Sequence, residues 1–276
     1  MLDKVAQVGR RAALAAGAVM RLNYLKPQQV TLKGAIDPVT ETDLQAQEMI
    51  IGLISQTFPE HGFLAEESAG EGEKAGGTGF PACANIFPPA TKPINRWIID
   101  PLDGTVNFAH GFPMFCVSIA YEAAGILEYG VVYDPLRDEL FEARKDGGAF
   151  LNGQPIRVSQ TGRLDRALLA TGFPYDIRER LPETLARLGR LLGAAQGVRR
   201  AGSAALDLCY VACGRFDGFC EDNLKPWDTA AGLLIIEEAG GKVTTFSGGD
   251  YNIYAPNILA SNEILHSQLL ESVHES

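Results

Sequence analysis

The chain has 276 residues, enough for one large domain or two intimate lobes around a sizeable core. Its 46% apolar and 21% charged residues are those of a soluble globular protein, and no apolar run is long enough to span a bilayer. A net charge of −10 argues against general binding to nucleic acid or to an anionic membrane, and a site acting on an anion would need a bound cation.

Val5, Val8, Ala12, Ala15, Ala16 and Val19 recur at helical spacing and predict an amphipathic helix over residues 3 to about 25. Arg10-Arg11 ahead of AALAAGAV has a faint likeness to a signal peptide, but Asp3 precedes it and Arg21 soon follows. After LKGAIDPVTETD, a second helix is predicted through Ala46, Met49, Ile50, Leu53 and Ile54, ended by Pro59. GFLAEES reads as a short strand running into acids. The Gly- and Pro-rich stretch from Ala69 to Arg96 reads as a long surface loop. Trp97-Ile98-Ile99 predicts a buried strand ending at Asp100, where Pro101 takes the chain out of regular pairing.

Strands follow at FCVSIAYE and ILEYGVVYD with a turn near Gly125, then at 141–144 and 149–158 around Asn152-Gly153. Helices are expected near 179–195, 203–213 and 228–239 and after Asn262, with strands at FDGFCE and KVTTF between them. Blocks of strands flanked by helix pairs predict layered α+β structure in two lobes, 1–149 and 150–276. The five cysteines (Cys83, Cys116, Cys209, Cys213, Cys220) show no C-x-x-C pair, so free buried thiols in a reducing cytoplasm are expected.

The acids carry the chemistry. Asp100 at a strand end and Asp103 after a turn are brought together, and two such carboxylates repel unless a proton or cation lies between them. None of the four histidines has metal-like spacing, so hard oxygen ligands select Mg²⁺ or a close relative. Glu66-Glu67 also follow a strand, and Asp228 sits at a probable helix start behind Pro226. Taken singly, each acid has a plainer role: Asp228 as a helix cap, Asp43 with Thr40 as a capping box, Glu66 and Glu67 as solvated loop acids, and Asp100 and Asp103 as turn residues. Their joint occurrence is what points to a site. Gly104-Thr105 is predicted to open a helix whose N–H groups suit a phosphate.

D-P-L-D-G-T-V-N-F and W-D-T-A-A-G-L-L-I-I-E-E-A-G-G resemble the two signature motifs of the inositol monophosphatase family, and L-A-E-E-S and D-P-V-T-E-T-D resemble its upstream elements. The likeness runs in order over nearly the whole chain. It implies an α-β-α-β-α sandwich, often a homodimer, and a Mg²⁺-dependent, Li⁺-inhibited phosphatase of polyol phosphates, led by inositol-1-phosphate. By position, Glu66, Asp100 and the Leu102 carbonyl would hold one Mg²⁺, and Asp100, Asp103 and Asp228 a second. Asp43 would support Thr105 and touch a third, weaker ion. Glu66 and Thr105 would orient or deprotonate a water that attacks phosphorus in line, without a phosphoenzyme. Gly104 and Thr105 would hold the phosphate; Asp103, Ser203, Ala204, Glu221 and Asp228 would line the substrate.

Three other readings compete. D-P-L-D-G-T superficially resembles the D-x-D-G-T nucleophile motif of haloacid dehalogenases, but two residues rather than one separate its aspartates. The same metal chemistry would serve fructose-1,6-bisphosphate, histidinol phosphate or 3′-phosphoadenosine 5′-phosphate. A mainly regulatory role beside the transcription machinery is a reading of another class. Arg199-Arg200 fits a dimer contact or pairing with surface acids, and Lys225 fits an ordinary surface lysine.

Overall fold

The computed structural model describes residues 1–27, 30–32, 38–68, 94–174 and 176–274. Helix α1 (Leu2–Asn23) buries Val5, Val8, Ala12, Ala16 and Met20, three or four residues apart, as its apolar spacing requires. A two-stranded ribbon, β1 (Val30–Leu32) with β2 (Pro38–Thr40), leads into α2 (Glu41–Ser55). A capping box opens α2: Thr40 Oγ1 accepts Thr42 N–H at 3.2 Å, and Asp43 Oδ2 accepts Thr40 N–H at 2.9 Å.

A seven-stranded sheet runs in chain order: β3 (Gly62–Ala65), β4 (Asn95–Asp103), β5 (Cys116–Ala123), β6 (Ile126–Asp134), β7 (Glu139–Arg144), β8 (Gly148–Leu151) and β9 (Gln154–Pro155). The β3–β4 pair is parallel and the later pairs are antiparallel. Its central strands are buried on both faces. Trp97 and Ile99 face one apolar cluster with α1 and α2, and Ile98 faces another on the opposite side. That is why these strands read as continuous apolar runs rather than alternating ones.

The second sheet has five strands in the order β11 (Gly197–Arg199), β10 (Leu168–Thr171), β12 (Gly218–Asp222), β14 (Asn257–Asn262), β13 (Gly241–Thr244). Strands β11, β10 and β12 are parallel, so their C-terminal ends gather at one edge. Helices α5 (Ala204–Ala212) and α6 (Pro226–Glu238) fill the space between the two sheets. Helices α4 (Leu181–Ala194) and α7 (His266–Val273) cover the outer face of the five-stranded sheet, over Leu169, Cys220 and Leu259. The layers are therefore α-β-α-β-α, as the resemblance implied.

Three expectations change. Strand β4 does not stop at Asp100 but continues through Pro101 to Asp103, its register against β5 slipping between the two aspartates. A bulge absorbs the missing proline N–H and keeps both acids on one strand. Strands β10 and β14 arise where no strand was predicted; four and six residues are too few to show a period. Of the long loop expected over 69–96, residues 69–93, Cys83 among them, lie outside the described residues, and Asn95 already belongs to β4. Cys116, Cys209, Cys213 and Cys220 are free thiols, three of them buried. Among the described residues no helix is long and apolar enough to cross a membrane.

Candidate active site

The ends of the parallel strands face one another across a cleft of about 300 Å³, a volume suited to a sugar-sized ligand. One wall comes from the first sheet: Glu66 follows β3, and Asp100 to Asp103 end β4. Asp228, in the first turn of α6, joins them. The other wall comes from the second sheet: Gly172 and Phe173 follow β10, Arg200 follows β11, and Glu221 and Asp222 end β12.

On the acidic wall each aspartate gives one oxygen to the fold. Asp100 Oδ1 accepts Leu102 N–H at 3.0 Å. Asp103 Oδ2 accepts from Ser203 Oγ at 2.5 Å and from Ala205 N–H at 2.9 Å, with Cys116 Sγ at 3.7 Å. Asp228 Oδ2 accepts Lys225 N–H at 2.7 Å, so it both caps α6 and lines the cleft. The second oxygen of each carries no hydrogen bond among the described residues. The turn that carries Glu66 is braced from α2: Gln47 accepts Glu67 N–H at 3.1 Å and donates to Ser68 Oγ at 2.9 Å.

Crowding these acids into a buried site raises their proton affinity. Burial, then the charges of Glu66, Asp103 and Asp228, pushes Asp100 well up. Burial, then Asp103 and Glu66, does the same to Asp228. Asp103 is pushed up to about 6, burial being opposed by its bonds to Ser203 and Ala205. A cation between them would offset this cost, and the donor set of carboxylate oxygens and a carbonyl fits a hard divalent ion. Among the described residues no three His, Cys, Asp or Glu side chains close round one point at ligating distance.

Asp43 stands behind this wall, not in it. Its Oδ1 lies 2.9 Å from Thr105 Oγ1, which is also 2.9 Å from the Leu102 carbonyl; the single hydroxyl proton serves one at a time. Burial lifts Asp43 to about 6. Gly104 caps the short helix α3 (Thr105–Ala109) at φ 92°, where a Cβ would meet Met114 O at 2.8 Å.

On the opposite wall, Ala204 lines the cleft as expected. Ser203 lines the cleft as well, with its hydroxyl donating to Asp103, and is 1% exposed. It belongs to the acidic wall. Glu221 is pushed up to about 8, by burial first and then by Asp228. Its carboxylate lies against Gly172, where a Cβ would come within 2.0 Å of Oε2. Lys225 and Arg200 line the cleft rather than the outer surface. Sequence reasoning missed Gln47, Gly172, Phe173 and Asn107, whose Nδ2 ties α3 to Met114 O (2.7 Å) and Ala201 O (2.9 Å). The N of D-G-T-V-N was the one available signal, for Asn107.

The model of the inositol monophosphatase family matches residues 1–276. An inositol-1-monophosphatase of Synechocystis is 43% identical over 97% of this chain and 88% of its own length. The Escherichia coli K12 protein named Nus factor SuhB is 42% identical over 96% of this chain and 94% of its own. The crystal structure of the extragenic suppressor protein suhB from Bartonella henselae superposes with a TM-score of 0.88 at 40% identity, covering 99% of each chain.

Proposed function

The chain belongs to the inositol monophosphatase family, and from that premise we propose that it is a magnesium-dependent phosphatase of polyol phosphates, led by inositol-1-phosphate. The observation that carries this is the acidic wall: buried Asp100 and half-buried Asp103 and Asp228, each anchored by one oxygen and each with a second oxygen carrying no hydrogen bond among the described residues. Glu66, Asp100 and the Leu102 carbonyl would hold one Mg²⁺, and Asp100, Asp103 and Asp228 another, with a weaker third near Asp43. Bound Mg²⁺ supplies Lewis acidity for the attacking water and charge neutralisation for the leaving oxygen.

The chain's own residues do the rest. A Thr105 hydroxyl that donates to Asp43 keeps its lone pairs for the cleft, so it accepts a hydrogen bond from the attacking water and aims it. Glu66 accepts the water's proton. Gly104 and Thr105 present backbone N–H groups to the phosphate oxygens. Ala204, Glu221, Asp103 and Asp228 meet the polyol, while Ser203 acts through Asp103. We read the chain as two lobes dividing near residue 150, within β8 and shortly before the first sheet ends at β9 (Gln154–Pro155).

The test is phosphate release from inositol-1-phosphate, fructose-1,6-bisphosphate, histidinol phosphate and 3′-phosphoadenosine 5′-phosphate, with Mg²⁺ and with EDTA. Magnesium-dependent turnover led by inositol-1-phosphate is expected, with inhibition by millimolar Li⁺. Absence of turnover by folded, metal-supplied protein would sink the enzyme reading. The relative named Nus factor SuhB supports a second reading, a cytoplasmic binding role beside the transcription machinery. A cellular role that survives Asp100→Asn would belong to that reading.

We also infer a homodimer. Helix α4 turns Thr184, Arg187 and Leu191 inward and leaves Leu181, Leu185 and Leu192 exposed at 46, 56 and 58%. Three exposed leucines on the outer face of one helix suit burial against a second copy. Sedimentation of Leu185→Glu as a monomer is expected; a parent chain that is itself monomeric would refute it.

A further inference from the structure

We propose that Tyr251, on the loop between β13 and β14, is a positioning residue for the cation that Asp228 would hold. This rests on the phosphatase reading above and extends it to a loop of the second sheet.

Asp228 is anchored by a single bond, from the N–H of Lys225, the residue that caps α6. Its place in the acidic wall therefore depends on how firmly the first turn of α6 is held. Tyr251 Oη donates to Thr229 Oγ1 at 3.1 Å, and Thr229 Oγ1 in turn lies 3.5 Å from the Lys225 carbonyl. Thr229 is fully buried, so bulk water does not take the place of the phenol. On the other side, Ser118 Oγ donates to Trp227 O at 3.3 Å, and Ser118 stands opposite Asp100 in the β4–β5 ladder. Both sequence neighbours of Asp228 are thus gripped, Trp227 from the first sheet and Thr229 from the loop of the second.

The loop that supplies Tyr251 is itself fixed. Asn252 Oδ1 accepts Tyr254 N–H at 2.9 Å, Ile253 is buried, and Pro256 O accepts Asn223 N–H at 2.7 Å. Tyr254 Oη accepts from Arg96 Nη2 at 2.7 Å, close to the start of β4, the strand that ends on Asp100 and Asp103. One loop therefore ties α6 to β4, the two elements whose acids must keep their spacing if they are to share an ion. Outer contacts of this kind orient metal ligands without touching the metal.

Metal binding is read without turnover. Tb³⁺, a hard ion that seeks oxygen ligands, is bound to the full chain, its luminescence sensitised by Trp227 beside Asp228, and is then displaced with Mg²⁺. Tyr251→Phe keeps the ring and removes the hydroxyl, and Mg²⁺ affinity is expected to fall about tenfold, the lower end for an outer contact. Thr229→Val should fall by as much, and Thr229→Ser should stay near the parent. The double variant Tyr251→Phe/Thr229→Val should bind no more weakly than either single one. In turnover the same loss should appear as a higher Mg²⁺ requirement at unmoved substrate KM. A lowered melting temperature with Mg²⁺ affinity within about twofold of the parent would make the contact merely structural and overturn the proposal. Additive losses in the double variant would overturn it as well. A parent that binds neither Tb³⁺ nor Mg²⁺ in the cleft overturns the metal-dependent reading too.

Discussion

The acidic wall and the polyol wall are built alike, each from the C-terminal ends of parallel strands, yet they differ in how their groups are held. On the acidic wall every aspartate is tied by a short local or cross-element hydrogen bond: Asp100 to Leu102, Asp228 to Lys225, Asp103 to Ser203. On the polyol wall Glu221 and Arg200 have no such tether among the described residues; Glu221 is shaped by the bare surface of Gly172, and Arg200 by the Phe173 ring. A site that must hold charge at fixed spacing is bonded in place. A site that must meet a ligand's hydroxyls is left with donors and acceptors to offer.

That contrast can be broken most directly at Asp100. Asp100→Asn should lower phosphate release about a thousandfold or more at saturating Mg²⁺, since it removes charge from both proposed ion sites. Turnover within tenfold of the parent would remove the acidic wall from the chemistry.

Gly172→Ala comes next. Its Cβ would overlap Glu221 Oε2, displacing the carboxylate by an ångström or more. A fall in kcat/KM of about a hundredfold is expected, with the Mg²⁺ concentration for half-activation unmoved. A shifted Mg²⁺ requirement would show that the walls are not separable.

Ser203→Ala tests the same boundary from the other side. Ala205 N–H still holds Asp103, so a loss of about tenfold is expected, appearing as a higher Mg²⁺ requirement at unchanged substrate KM. A changed KM alone would return Ser203 to the polyol wall.

The smallest effect is on stability. Glu221 titrates near 8 in the fold and near 4 when unfolded, so between these values the folded chain binds more protons. Stability therefore falls as pH rises between these values, and the melting temperature of metal-free protein should fall from pH 6.5 to about 8. His266, pushed down to about 4 by burial, has the opposite sign, but only below 6.5, where the unfolded imidazole protonates. Glu221→Gln should flatten the slope above 6.5; an unchanged slope would assign it to other groups.

The sequence by itself determined the helices, the double-faced strands and the acids of the first wall, because period and strand-end position are local properties. It also held both roles of Asp43 and Asp228, cap and site neighbour, which the structure shows to be true together. Tertiary structure alone decided which elements meet. The direction of the Ser203 hydroxyl, the four-residue strand β10, the clearance that Glu221 finds at Gly172 and the stacking of Arg200 on Phe173 all depend on a facing residue tens of positions away. A sequence period records that a face will be buried; only the packed layers fix what it is buried against.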